Sequence, residues 1–260
     1  MSPGARRPTR RDLGGDQVEG RQAVRELLVA GRRRVFEVLM AATDDARGPL
    51  HDLAELAKKL RVPVKQVAAG KLAAAARTEA PQGVLARCAP LEEVEIEALV
   101  KRRKGVAPLL LAVDGVTDPG NLGALLRAAE CAGVTGVVLP RHRSVHITPT
   151  VAKAAAGAIE YLPMAVVPGL PSALEGLKAD GLWVVGLDGG GDQRIDRLTL
   201  ASEPLVMVFG AEGRGLSPLV RKRCDVVAAI PLRGRLASLN VAAAGAIACY
   251  EVARQRAATD

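Results

Sequence analysis

Apolar residues recur along the chain with two alternating periods. Over GRQAVRELLVAG (20–31) they fall at Ala23, Val24, Leu27 and Leu28, the spacing of one helix face, and the stretch closes on Gly31. VFEVLMA (35–41) alternates and predicts a strand. Helical spacing returns in LHDLAELAKKL (50–60), a strand in VPVKQVA (62–68), a short helix in KLAAAA (71–76) and a strand in GVLARC (83–88). LEEVEIEALV (91–100) predicts a short helix.

Beyond residue 105 the alternation is more regular. PLLLAVD (108–114), TGVVLP (135–140), LPMAVV (162–167), GLWVVGLD (181–188), PLVMVFG (204–210) and VVAAIPL (226–232) predict strands. NLGALLRAAECAG (121–133) predicts a helix with Asn121 at its start, and TPTVAKAAAGAIE (148–160) one capped by Thr148 with Pro149 in first position. SPLVRKRC (217–224) and a final segment from Ser238 complete the helices. Strands and helices in turn imply an α/β fold: a mostly parallel sheet covered on both faces, preceded by a smaller α/β domain. The expected division is a disordered basic tail over 1–16, a small domain over 17–92, a linker over 93–105 that contains KRRKG, and a large domain over 106–260.

Charge sharpens this division. Of a net +8, residues 1–16 carry +2, residues 17–92 carry +4, residues 93–104 carry +1 and residues 105–260 carry +1. The excess therefore sits before the large domain and suits a polyanionic partner. Arg outnumbers Lys 27 to 9, which fits phosphate recognition and equally fits a coding bias that also enriches Ala. With five aromatic residues in all, an RNA-binding surface is expected to use Arg and backbone contacts rather than stacking platforms. Cys88, Cys131, Cys224 and Cys249 are too far apart for CxxC and are expected to be buried free thiols; with three His, no metal site is expected. No apolar run reaches the ~18 residues of a membrane span, and the first residues lack a secretory apolar segment. A soluble, cytoplasmic protein without a membrane partner is expected.

Three loops at predicted strand ends carry the chemistry. VDGVTDPGNLGALLRAAE (113–130) turns at Asp118-Pro119-Gly120 and presents Asn121 and Arg127. GAEGRG (210–215) holds Glu212 in a glycine-rich turn that allows close backbone approach to a ligand. IPLRGRLASLN (230–240) breaks at Pro231, carries Arg233 and Arg235, and enters a helix through Ser238 and Asn240. Singly, each has a plain alternative: Asn121 and Ser238 as helix caps, Arg127 on the solvent, Glu212 as a hydrogen bond that braces its loop. A dinucleotide-dependent oxidoreductase is disfavoured, because the glycine spacing is G-x-x-G-x-G and no acid lies about 20 residues on. The set has no Ser-His-Asp group and is poorly equipped for hydrolysis.

DPGNLGALLRAAE, VFGAEGRGLS and IPLRGRLASLNVAAAGAIACYE, in that order, resemble the three motifs of the SpoU (TrmH) family of RNA ribose 2′-O-methyltransferases. KAAAGAIEYLP (153–163) fits the same family, and VEGRQAVRELL with PQGVLA resembles its small substrate-binding domain. The likeness covers about residues 17–255 and is nearest to the branch acting on a guanosine of 23S ribosomal RNA. It implies a knotted α/β methyltransferase domain, S-adenosylmethionine as cofactor, and a homodimer through that domain with the active site at its interface. By motif, it places Asn121, Arg127, Glu212, Ser238 and Asn240 in the catalytic surroundings, and Gly210, Ile230 and Leu239, with Leu187 and Leu232, against the cofactor. RNA contacts are expected from Arg21, Arg25, Arg141, Arg143, Arg233 and Arg235, and from the run Arg32–Arg34. Gly120 and Ala242 depart from the residues usual in the nearest branch and leave the motif residues untouched. A tRNA ribose target and a non-catalytic RNA-binding assembly protein are the alternatives.

Overall fold

Two sheets organise the chain in the computed structural model, which describes residues 12–42, 48–101, 106–142 and 146–258. The smaller sheet is built from β1 (Gln17–Glu19), β2 (Val35–Ala41), β3 (Val64–Val67) and β4 (Val84–Cys88) in the order β1-β4-β2-β3. Helices α1 (Arg21–Ala30), α2 (Pro49–Lys59) and α3 (Ala69–Ala75) accompany it. The predicted face of α1 is the buried one, Ala23, Val24, Leu27 and Leu28, packed with Val38 and Met40 of β2.

The larger sheet has seven strands, all parallel: β5 (Leu109–Asp114), β6 (Gly136–Pro140), β7 (Met164–Val167), β8 (Trp183–Leu187), β9 (Gln193–Arg194), β10 (Leu205–Gly210) and β11 (Val226–Ala229). Their order is β7-β6-β5-β10-β8-β11-β9. The chain builds outward from β5 to β7, then returns to build on the other side of β10. The strand order thus reverses beside β5 and β10, the kind of position where open α/β sheets bind ligands. Both faces are covered, by α5 (Pro119–Cys131), α6 (Pro149–Ala154) and α9 (Val241–Ala257) on one and by α4 (Ile96–Leu99), α7 (Leu170–Ala179) and α8 (Pro218–Arg223) on the other. Two-sided burial explains why β5 and β10 read as unbroken apolar runs.

Several expectations change. Asp118, not Asn121, caps α5: its Oδ1 accepts the Asn121 amide at 2.7 Å. Asn240, not Ser238, caps α9, which starts at Val241. The helix expected over 148–160 keeps its Thr148 cap but ends at Ala154; Ala156 and Gly157 take φ of 49° and 97°, and Ala158–Glu160 form one 3-10 turn. The cause is tertiary. A Cβ at Gly157 would lie 2.2 Å from the Glu26 Cβ, so α1 docks where a continued helix would run. The helix α7 and the short strands β1 and β9 were not expected. The disordered tail expected over 1–16 does not extend over 12–16: Leu13 is buried, its amide bonds the Leu91 carbonyl, and its carbonyl accepts from the Ile147 amide. Nor is 93–101 a free linker, since Val94 bonds the Met164 carbonyl and Leu99 is buried against Leu110 and Val138.

The two sheet systems are joined by a buried ion pair. The Arg33 guanidinium meets Glu160 at 2.5 and 2.9 Å, and its Nη1 also donates to the Gly15 and Ala89 carbonyls. Their side chains are 5% and 1% exposed, so Arg33 is unavailable to RNA, against the reading of the Arg32–Arg34 run. Beside it, the Tyr161 hydroxyl donates to Glu26 at 2.7 Å, and Arg32 lies over the Tyr161 ring. Burial, reinforced by Glu26, pushes the Tyr161 hydroxyl up to about 12.

The thiols are unpaired, but not uniformly buried. Cys88 and Cys249 are buried, Cys224 half-buried and Cys131 exposed, because Cys131 ends α5 on its outer face. Burial pushes Cys249 up to about 12 and Cys88 and Cys224 up to about 11. Since the thiolate is the nucleophile, iodoacetamide at pH 8 is expected to label Cys131 first; mass mapping of the native protein checks this. Removing one partner of the buried pair, as in Glu160→Ala, strands a buried charge and is expected to cost about 3–5 kcal/mol in urea unfolding. An Arg33→Met, Glu160→Leu double variant is expected to recover most of that loss.

Candidate active site

Parallel strands put all their carboxyl ends on one side, so Asp114, Leu187, Gly210 and Ile230 emerge together at the ends of β5, β8, β10 and β11. There Leu187, Gly210 and Ile230 border a cavity of about 330 Å3. Leu187, Ile230, Leu232 and Leu239 supply apolar walls, and the 210–215 loop supplies backbone. That loop closes on itself: the Ala211 and Gly215 amides each donate to the other's carbonyl, at 3.1 and 2.9 Å. Gly210 is required there, because a Cβ would fall 2.2 Å from the Gly215 carbonyl carbon.

The three sequence segments meet through one side chain. The Asn240 Nδ2 donates to Asn121 Oδ1 at 2.8 Å and to Glu212 Oε1 at 2.7 Å. Its Oδ1 accepts from the amides of Ala242 and Ala243, capping α9. Because Asp118 caps α5, the Asn121 side chain is free to face Asn240 and Glu212. A second hollow of about 570 Å3 adjoins the first and shares the Glu212, Arg214 and Gly215 wall; Asp114, Asp118, Asn121 and Ser217 line its far side.

The structure therefore gathers Asn121, Glu212 and Asn240 by direct bonds, and Gly210, Ile230, Leu239, Leu187, Leu232 and Ser238 around one cavity. It does not bring Arg127 into that group. Arg127 lies six residues beyond Asn121 on α5, about 9 Å along the helix axis, exposed and without a hydrogen bond or ion pair among the described residues. Arg233 and Arg235 stand on the exposed 232–240 stretch beside the cavity, and Arg141 follows β6 on the same side of the sheet. Arg21 and Arg25 are exposed on α1 but already engaged, Arg21 with the Gln82 carbonyl and Arg25 with Glu26. Arg143 lies outside the described residues.

Sequence reasoning missed Asp188, which lines the cavity and forms an ion pair with Arg221 of α8 at 3.1 Å. Arg221 also reaches the Gly190 carbonyl, so α8 steadies the turn after β8. The signal was present: Asp188 ends a predicted strand and opens an Asp-Gly-Gly-Gly run. Asp114 was missed too; its Oδ2 accepts the Ser217 amide at 2.6 Å and ties α8 to β5. Among the described residues no group of His, Cys, Asp and Glu has the makings of a metal site, and no helix is long and apolar enough to cross a membrane.

Comparison with known proteins gives a consistent set of likenesses. Residues 108–250 match the SpoU rRNA Methylase family, and residues 17–94 match the family described as RNA 2′-O ribose methyltransferase substrate binding. The chain is 42% identical to the 23S rRNA (guanosine-2′-O-)-methyltransferase RlmB of Pseudomonas aeruginosa, over 93% of this chain and 97% of that one. It is 37% identical to the putative TrmH family tRNA/rRNA methyltransferase YacO of Bacillus subtilis, over 93% and 96%. Among solved structures, the SpoU methyltransferase AviRb of Streptomyces viridochromogenes with AdoMet superposes with a TM-score of 0.74 at 26% identity, covering 93% of this chain and 90% of that one.

Asn240→Asp separates the two duties of this residue. It keeps the capping oxygen, which a helix N-terminus favours, but loses the donor and sets a carboxylate against Glu212. Amide exchange over Ala211–Gly215 is expected to rise while the first turn of α9 stays protected. Asn240→Ala is expected to weaken both and to lower stability by about 1 kcal/mol in chemical unfolding.

Proposed function

The chain belongs to the SpoU rRNA methylase family, and from that premise we propose that it methylates the ribose 2′-oxygen of a guanosine in 23S ribosomal RNA, with S-adenosylmethionine as donor. The observation that carries the reading is the meeting of all three motif segments at one cavity through Asn240, in a chain matching 97% of the length of a 23S rRNA guanosine methyltransferase.

The cavity suits the cofactor. Its volume lies within the roughly 300–1,000 Å3 usual for small-ligand sites, and it combines apolar walls with exposed backbone and carboxylates at Asp188 and Glu212. Gly210, Ile230 and Leu239, with Leu187 and Leu232, would hold it. When bound, S-adenosylmethionine supplies an electrophilic methyl group. The chain's own residues do the rest. Asn240 and Glu212 hold the glycine loop against α5, so the walls are organised before RNA arrives. Ser238, on the cavity rim, shapes the loop that carries Leu239.

A guanidinium is a fixed charge rather than a base, and that is the part Arg127 takes here. It grips a phosphate of the substrate and stabilises the alkoxide developing at the 2′-oxygen, whose proton passes to phosphate or water. Its distance from the cavity fits an active site completed across a homodimer interface. Support comes from α9, where Ile247 is 43% and Tyr250 67% exposed on a helix packed against α5, with Ala124 and Arg127 exposed on α5 nearby. Apolar residues on every side of a helix are those of a covered helix. Threading of 230–240 as a knot belongs to the same reading. So does the division of labour between residues 17–92, which capture RNA, and residues 106–260, which carry out the transfer; Arg141, Arg233 and Arg235 would guide RNA at the site.

Mapping 2′-O-methyl sites in total RNA with and without the gene tests the reading. Loss of one 23S guanosine mark is expected; loss of a tRNA mark alone would redirect it to tRNA. With purified protein and unmodified 23S rRNA, Arg127→Ala is expected to lower methyl transfer about 10²–10³-fold while binding of S-adenosylhomocysteine stays unchanged. Transfer at the wild-type rate would remove Arg127 from the mechanism.

A further inference from the structure

In the small sheet, β2 pairs with β4 with one irregularity: Val35 faces Cys88 and Glu37 faces Arg87, so Phe36 is an extra residue with no partner. This β-bulge decides which side chain goes inside. Val38 and Met40 point into the core under α1 and α2, and Leu39 points to the opposite face with Leu72 and Leu85. Strict alternation would carry Phe36 into the first core. The extra residue hands that place to Val35, which packs with Val38 and Met40, and leaves Phe36 50% exposed.

Phe36 is one of two phenylalanines in the chain, and the other, Phe209, is buried. An aromatic ring withheld from an available core is a costly arrangement for a surface of no use. A cation lies against it: the Arg34 guanidinium sits over the ring, 5.6 Å from its centroid. The next residue, Glu37, is held by Lys65 and Arg87, so its carboxylate is already paired. An exposed ring with an exposed guanidinium over it is a combination that holds an unstacked base and its phosphate.

We propose that Phe36 and Arg34 form a stacking platform for a single-stranded nucleotide of the RNA substrate. The proposal rests on the RNA-methylating reading above and adds a specific contact outside the catalytic cavity. Arg33, next in the chain, is locked onto Glu160, so the platform is held at a set position relative to the large domain. A base captured there anchors the RNA while a nucleotide elsewhere enters the site.

The test uses the full chain, a fluorescent single-stranded oligoribonucleotide, the same strand in a duplex, and S-adenosylhomocysteine. Phe36→Ala and Phe36→Leu are expected to weaken single-strand binding about tenfold, Phe36→Trp to retain it, and none to alter duplex or S-adenosylhomocysteine affinity. Binding of single strands by Phe36→Leu as tight as wild type overturns the proposal and points to an apolar protein contact instead. Unchanged binding by Phe36→Ala overturns it outright. Failure of the wild-type chain to bind S-adenosylhomocysteine would strike the methyltransferase reading, while the single-strand comparison would still judge the platform.

Discussion

One carboxamide holds the site together. Asn240 uses both ends of its side chain: the oxygen satisfies two of the open amides of α9, and the nitrogen spans to Asn121 and Glu212. These belong to three segments that leave the sheet at different strands. An amide suits the position because it offers donor and acceptor a fixed distance apart. A carboxylate would cap the helix but could not donate to Glu212. The cavity walls at Gly210 and Ile230 adjoin these loops, so the cavity's shape and the start of α9 depend on the same residue.

A comparable economy joins the two halves of the chain. The buried pair of Arg33 and Glu160 joins them, and the bend at Gly157 just before Glu160 makes room for α1. Charge that looked like an RNA-binding run is thereby divided by burial. Arg33 becomes structural, Arg32 packs on Tyr161, and Arg34 remains exposed beside Phe36. The basic excess of the N-terminal part is real, but a count cannot say which charges reach solvent. The same holds for aromatics: a chain with five of them looked unable to stack bases, and a single bulge is enough to present one.

Local pattern carried much of this architecture. Period-2 and period-3.6 spacing located nearly every long strand and helix, since burial on one face imposes that spacing wherever the element sits. The motif residues Asn121, Glu212 and Asn240 were legible as a set, because their loops each follow an apolar strand. Less legible were α7, the two- and three-residue strands, and the packed stretches 12–16 and 93–101, whose order comes from distant partners such as Leu91, Ile147 and Met164.

What the sequence determined by itself was the α/β alternation, the loops that carry chemistry and the family they resemble. Only the tertiary structure decided which polar residue caps which helix, since Asp118 displaced Asn121 and Asn240 displaced Ser238. It also decided which arginine is buried, where the expected helix breaks, and that Arg127 stands apart from the cavity. The reason is range. Periodicity reports a residue's relation to its near neighbours, whereas charge burial, a bulge's choice of face and the bonds from Asn240 to Asn121 and Glu212 are settled by groups tens to more than a hundred positions away.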